Sequence, residues 1–182
     1  NCPFDFGNAL NWKYDGKGNE SVVVNSAMPI TDSVWTIEAW VKPVVDGGYH
    51  TWIGGQYCCA WQRWPTPYIT PDGHMVLYYP DPDRTTSGSD YWGYLTGDSV
   101  FYTTGIWTHV AIVKTKSTFY IYKNGNLFKS GPAPARCWPV WGTLSYFNIG
   151  YSDVSYKGGL DEVRIWNVPR SQDSIRHNMN IE

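Results

Sequence analysis

Short apolar runs recur along this chain, each closed by a Gly, Pro or Asn turn signal, and no helical periodicity separates one from the next. The clearest run is Trp35 to Lys42 (WTIEAWVK). Trp35, Ile37, Ala39 and Val41 fall on one face, and Thr36, Glu38, Trp40 and Lys42 on the other. Trp107 to Lys114 (WTHVAIVK) is apolar almost throughout, which predicts a central strand. Thr118 to Lys123 and Asn126 to Lys129 flank Asn124-Gly125. An Asn-Gly between two strand patterns predicts a two-residue hairpin, because both turn positions need positive φ. Further strands are expected at 9–14, 21–25, 74–79, 91–97, 144–150 and 159–166. Near the end, Pro169 and the cap-forming Ser171 introduce SQDSIRHN, which predicts one short helix with a single apolar position.

Such a pattern predicts an all-β fold, an antiparallel sandwich with one short C-terminal helix. β-Branched and aromatic residues far outnumber Leu, Ala and Glu, and they lose rotamer freedom against a helical turn. The 182 residues are read as a single domain, 1–182. A net charge of −2, from 14 Lys+Arg against 16 Asp+Glu, gives no electrostatic reason to expect nucleic acid as a partner. No apolar run approaches the ~18 residues that a membrane span needs. The chain opens Asn1-Cys2 without Met, which is read as a processed or excised form of a secreted, extracellular protein. The sequon Asn19-Glu20-Ser21 fits that reading.

Two stretches break the strand rhythm. Residues 54–73 (GGQYCCAWQRWPTPYITPDG) and 130–142 (SGPAPARCWPVWG) each carry Cys beside a Trp-x-x-Trp spacing, Trp61 with Trp64 and Trp138 with Trp141. Their prolines fix φ and remove donors, so both are read as ordered loops rather than strands. The four cysteines Cys2, Cys58, Cys59 and Cys137 are expected to form two disulfides in an oxidising compartment. Three pairings are open. A bond between the neighbours Cys58 and Cys59 would be strained, so one is expected to meet Cys137 and the other Cys2, which would bring the two Trp pairs together. A third irregular stretch, residues 80–98, holds Asp81, Asp83, Asp90 and Asp98 with Tyr91, Trp92 and Tyr94. Its DxD, Asp81 with Asp83, could hold calcium through oxygen ligands or be a solvated turn cluster.

Three segments in order resemble the laminin G-like, concanavalin A-like lectin/glucanase superfamily. They are residues 9–24 with TIEAWVKP at 36–43, IWTHVAIVK with YKNGNLF at 106–128, and FNIGYSDVSYKGGLDEVRIWN at 147–167 followed by a short helix. The resemblance implies a jelly roll of two antiparallel sheets, with first and last strands adjacent. It implies a secreted or surface module that binds carbohydrate or, less often, protein. It also implies a calcium position at Asp161 with Asp15 and Gly16, where the other reading has Asp161 capping backbone N–H groups.

Binding is favoured over catalysis. Glycoside hydrolysis usually needs two carboxyl groups about 5–9.5 Å apart across the scissile bond. The only glutamates are Glu20, Glu38, Glu162 and Glu182, and none sits in the glucanase Glu-x-Asp-x-x-Glu arrangement. Glu162 and Arg164 share a strand face and are expected to pair across strands. No Gly-x-Ser-x-Gly occurs, and His109 is expected to be a structural, hydrogen-bonded histidine.

A sugar ring presents C–H bonds on one face and hydroxyls at its edge, so an aromatic ring beside Asp, Asn or Arg suits it. The candidate glycan-binding residues are Trp61, Arg63 and Trp64; Asp90, Tyr91 and Trp92; and Arg136, Trp138 and Trp141. An alternative groove would be lined by Trp40, Tyr120 and Tyr122. A homo-oligomer would strengthen weak single sites by multivalency. The alternative function is a non-enzymatic extracellular adhesion or assembly module, whose Trp/Pro loops bind protein partners.

Overall fold

Turn chemistry and alternation produce strands where the apolar runs lie. The computed structural model describes residues 10–12, 21–24, 33–54, 65–81, 92–135, 147–150 and 154–180. In chain order the elements are β1 (Leu10–Trp12), β2 (Val22–Val24), β3 (Trp35–Pro43), β4 (His50–Thr51), β5 (Ile53–Gly54), β6 (Thr66–Ile69) and β7 (Met75–Pro80). There follow β8 (Trp92–Thr96), β9 (Thr108–Lys114), β10 (Thr118–Lys123), β11 (Asn126–Pro132), β12 (Phe147–Ile149), β13 (Gly158–Trp166) and α1 (Gln172–Asn178).

One layer is a six-stranded antiparallel sheet in the order β1-β13-β3-β9-β10-β11. The second layer consists of β2-β12-β5 and β4-β6-β7-β8. Residues 50–54 join its two parts: His50 and Thr51 pair with β6, and Ile53 and Gly54 pair with β12. Trp52 sits at the join, fully buried, and its carbonyl accepts from Gly150 N at 2.8 Å. Trp35, Ile37, Ala39 and Val41 of β3 meet Ile53, Ile69, Met75 and Leu77 in one core. Each large side chain so buried contributes about 1.5–3 kcal/mol.

The hairpin at Asn124-Gly125 forms as the dipeptide predicts, with φ of 49° and 72° and Lys123 opposite Asn126. Asn124 locks it to the next strand, because its Oδ1 accepts from His109 N at 2.8 Å. β9 is central and buried along its whole length. The short helix is also present. Ser171 is its N-cap, accepting from Ser174 N, and Ile175 is its single buried apolar residue.

The reading of 54–73 as loop alone is corrected: Thr66–Ile69 is a buried strand between β4 and β7. Pro67 is accommodated because β4 reaches only Tyr68 and Ile69, so no ladder partner on that side needs its missing donor. The loop reading of 130–142 is corrected at its start, since β11 runs to Pro132.

The outer face of the six-stranded sheet is closed by the segment around α1. Thr36 Oγ1 donates to Val168 O at 2.8 Å and accepts from Arg170 N at 2.9 Å. Glu38, fully buried, accepts from Trp166 Nε1 at 2.6 Å and from the Arg170 guanidinium. Arg170 stacks 4.6 Å from the Trp166 ring and donates to Ser174 O at 2.8 Å. Trp40 Nε1 donates to Met179 O at 2.8 Å, and Arg164 to Asn178 O at 2.8 Å. Ile175 packs with Ala111, Val113 and Tyr122. The alternative groove at Trp40, Tyr120 and Tyr122 is therefore corrected: the helical segment covers this face. Burying an isolated apolar residue on a short helix requires such cover.

Candidate functional site

On the second layer, β6, β7 and β8 present one face to the core and the other outward. Met75, Leu77 and Tyr79 point inward. Directly opposed residues share a face, so Thr66 and Tyr68 of β6, Val76, Tyr78 and Pro80 of β7, and Tyr94 and Thr96 of β8 share the outward one. Gly93 helps to fix this arrangement. A Cβ there would lie 2.1 Å from the Tyr79 ring, so Tyr79 fills the space under β8 and Tyr94 takes the outer side.

The outcome is a row of three tyrosines crossing three strands. Tyr68 and Tyr78 have ring centroids 5.1 Å apart, edge to face at 70°. Tyr78 and Tyr94 are 6.2 Å apart with planes tilted by 41°. Exposure rises along the row from 6% at Tyr68 through 36% at Tyr78 to 63% at Tyr94. Among the laddered positions of β6, β7 and β8 on this face none carries a carboxylate, imidazole or amine; His74 lies beyond the ladder, beside Asp72. The laddered face offers apolar ring faces and hydroxyls, the requirements for stacking and hydrogen bonding, and no acid–base pair.

Most predicted glycan-binding residues lie outside the described residues: Trp61, Arg63, Trp64, Asp90, Tyr91, Arg136, Trp138 and Trp141. The points where their segments join the sheet are described. Residues 55–64 leave after Gly54 and rejoin before Thr66; residues 82–91 run from the end of β7 to Trp92; residues 136–146 lead into Phe147. Register puts these junctions at one end of the second layer, where Thr66 faces Tyr78, Pro80 faces Trp92 and Gly54 faces Asn148. The described residues that flank the three predicted segments thus lie at the end of the sheet that bears the tyrosine row. Trp92 begins β8 opposite Pro80. The row itself was not foreseen, although W-G-Y at 92–94 and the alternation in MVLYYP carry its signal.

The disulfide expectation on Cys2, Cys58, Cys59 and Cys137 lies outside the described residues, as do Asp15, Gly16 and Asp83. Asp161 is described. Its Oδ1 accepts from Glu162 N at 2.9 Å, at a bulge where Glu162 has φ of 51°. The carboxylate therefore caps a backbone donor that the interrupted ladder leaves free. Calcium takes six to eight oxygens, and among the described residues no group of three acidic, histidine or cysteine side chains converges on a metal position. Asp81 is half-buried at the end of β7.

Several of the described carboxylates and histidines have structural partners. Glu162 pairs with Arg164 along its own strand, which corrects the expected cross-strand pairing; the bulge brings them together. His109 is buried, with Nε2 3.5 Å from Glu38. Burial, followed by the charges of Arg164 and Arg170, pushes its pKa down to about 4. It is structural as expected, but its Nδ1 is without a hydrogen-bond partner, and the side chain is held by packing and the Glu38 contact. At the opposite end of the molecule, His50 contacts Asp46 Oδ1 at 2.7 Å and Ser155 O at 2.9 Å. Lys157, 2.6 Å from Asp46, is the main cause holding that carboxyl well below its usual range, with His50 adding to it. Ser155 takes part through its carbonyl, so this is a tied corner and not a nucleophile with its base.

A family model described as the concanavalin A-like lectin/glucanases superfamily (Laminin_G_3) matches residues 15–176. No curated protein shows a significant match. Among solved structures, a candidate carbohydrate-binding protein from Bacteroides ovatus superposes with a TM-score of 0.64 at 17% identity, over 88% of this chain and 46% of its own. The chain therefore spans under half the length of that protein. Domain 4 of the extracellular GH43 arabinanase AbnA of Geobacillus stearothermophilus, solved with arabinotriose, gives 0.62 at 22% identity, over 96% of this chain and 82% of its own. The sialidase CBM40 module of Ruminococcus gnavus, bound to α2,3-sialyllactose, gives 0.65 at 13% identity, over 88% and 98%. At these identities the likeness is one of fold. Among the described residues, no helix is long and apolar enough to cross a membrane.

Proposed function

Because the chain belongs to the concanavalin A-like lectin/glucanase superfamily, its match covering residues 15–176, we propose that it is an extracellular glycan-binding domain that acts by recognition and not by hydrolysis. The observation that carries this reading is the Tyr68–Tyr78–Tyr94 row on the outer face of the second layer, open at Tyr78 and Tyr94. A pyranose or furanose ring lies its C–H face on a phenol ring, and its hydroxyls meet hydroxyl and amide groups at the margin. The segments bearing Trp61, Arg63, Trp64, Asp90, Tyr91, Trp138 and Trp141 attach at the same end, which supports their serving as the margin of one site, with Cys58, Cys59 and Cys137 as braces. The neighbouring structures named for carbohydrate support the same reading.

Catalysis finds less support. Glu38 and Glu162, two of the glutamates a glycosidase would need, are each engaged by an arginine on or beneath the opposite layer. A glycan array probed with the intact chain tests the proposal. Binding is expected, and Tyr78→Ala and Tyr94→Ala are expected to abolish it while circular dichroism stays unchanged. An array without signal, accompanied by a stable dimer or fibre in solution, refutes it in favour of an assembly module.

A further inference from the structure

Beneath the C-terminal segment, on the other layer from the tyrosine row, lies a group of charges that balances only while His109 is neutral. Glu38 of β3 takes the Arg170 guanidinium, and Glu162 of β13 takes Arg164. Each of these cations thus has one anion. The His109 ring of β9 is 2% exposed and lies close enough to feel both arginines. Its Nε2 is 3.5 Å from Glu38 Oε2, longer than a normal hydrogen bond. Glu38 Oε2 and His109 Nδ1 are both buried without a hydrogen-bond partner. Trp40 meets the imidazole edge to face at 5.3 Å. From the hairpin side, Asn124 bonds only the His109 backbone, and Tyr122 is uncharged below its raised pKa. The other ionisable groups of α1, Asp173, Arg176 and His177, are exposed. A proton on His109 therefore adds a third buried cation to two carboxylates that are already taken, which is costly. Burial and the two arginines accordingly hold its pKa down to about 4.

The segment 167–180 that covers this group is fastened by polar bonds more than by a core. Its one buried apolar side chain is Ile175. The rest of its printed hold is the Glu38–Arg170 pair and hydrogen bonds at Thr36, Trp40, Arg164 and the Gly125 carbonyl. A segment with so little buried apolar surface opens at a lower free energy than the sheet it rests on. Opening carries Arg170 away and admits water. The Glu38 carboxylate is then left beside the imidazole, which binds a proton readily there because an anion favours its charged form.

We propose that residues 167–180 form an acid-released strap: on protonation of His109, Glu38 exchanges the Arg170 guanidinium for the imidazolium, and the strap lifts from the Trp40, Tyr120 and Tyr122 face of the six-stranded sheet. This device does not depend on what the tyrosine row binds. Its direction follows from linkage. The histidine pKa is lower in the closed form than the ~6.5 it regains on exposure, so the closed form loses stability as pH falls from about 6.5 towards 4.

Native-state amide exchange of the intact chain at pH 7.5 and 4.5, corrected for the intrinsic effect of pH, tests the proposal. Peptides from 167–180 are expected to open about seventyfold more often at pH 4.5, while peptides from β3 and β9 stay protected. In His109→Gln that factor is expected to fall close to one. The Trp40 indole of the unmutated chain gives a second reading that needs no variant. Its N–H donates to Met179 O, so its exchange, followed by NMR, is expected to accelerate at pH 4.5 as the strap does. Equal strap and indole protection at both pH values overturns the proposal. Loss of protection in the strap and β9 together overturns it too, since that is global unfolding. So does a pH effect that survives His109→Gln in a folded protein.

Discussion

Arg170→Met removes the guanidinium that faces Glu38 and retains most of the volume. Glu38 is 0% exposed, and the Arg170 side chain is 6% exposed. With the guanidinium gone, the Glu38 carboxylate retains the Trp166 Nε1 donor at 2.6 Å and the His109 contact at 3.5 Å, neither of them a fixed cation. Removing one partner of a buried pair costs about 3–5 kcal/mol, chiefly from the charge left behind. The lost bond to Ser174 O and the stack on Trp166 fall within the same segment and add to the loss. In a chain of this size roughly 2–4 °C of Tm follows each kcal/mol, so a fall of about 6–20 °C is expected. Urea unfolding followed by tryptophan fluorescence gives the free energy, and calorimetry gives Tm. Adding Glu38→Gln to Arg170→Met makes the argument decisive. If the penalty is the unpaired charge, the double variant recovers at least half of it, because the amide oxygen still accepts from Trp166 and no charge is stranded. A double variant as unstable as Arg170→Met alone, or a single-variant loss under about 1 kcal/mol, refutes the reasoning.

Acidification should act through His109. Its pKa is lowered to about 4 in the folded protein against about 6.5 unfolded, so between those values the unfolded chain binds more protons and stability falls as pH falls. The loss is about 3 kcal/mol once pH is below both values, and stability is level above about pH 7. Asp46 does not confuse this window, because a lowered carboxyl loses its contribution only as pH drops below the usual Asp range. Urea midpoints at pH 7.5 and 4.5 should converge in His109→Gln; an unchanged gap would exclude His109 as the source. Gly125→Ala is expected to cost about 1–3 kcal/mol, since φ is +72° and the added Cβ would lie 2.6 Å from Arg176 Cγ. A thermal melt within error of the parent would show that the hairpin tolerates a side chain there.

What the sequence discloses here is what neighbours in the chain decide. The β3 alternation, the Asn124-Gly125 hairpin and the Ser171 cap with Ile175 are local, and each is present as read. The glutamate in that alternation looks like a solvated residue on an outward face. It is buried because Arg170 reaches it from 132 positions away. Pro65 and Pro67 hide β6, since proline argues against a strand until one sees that its neighbour stops short. The tyrosine row is invisible for a related reason. Tyr68, Tyr78 and Tyr94 each look like ordinary members of short strands, and only cross-strand register sets them side by side. Trp40, Tyr120 and Tyr122 are the converse, aromatics that alternate outward yet are claimed by a helix whose docking face the sequence does not announce.

β13 lies between β1 and β3, so the sheet has a gap one strand in from its edge until a late stretch of polypeptide is available to fill it. While the chain is being synthesised, β3 emerges early with both flanks of its backbone unpaired, and the flank that meets β13 waits through the making of every strand from β4 to β12. Closure that depends on partners so distant is slow. The nascent protein thus has its longest aggregation-prone interval before the last strand is made, which makes its yield sensitive to elongation rate and to chaperones that shield bare strand flanks.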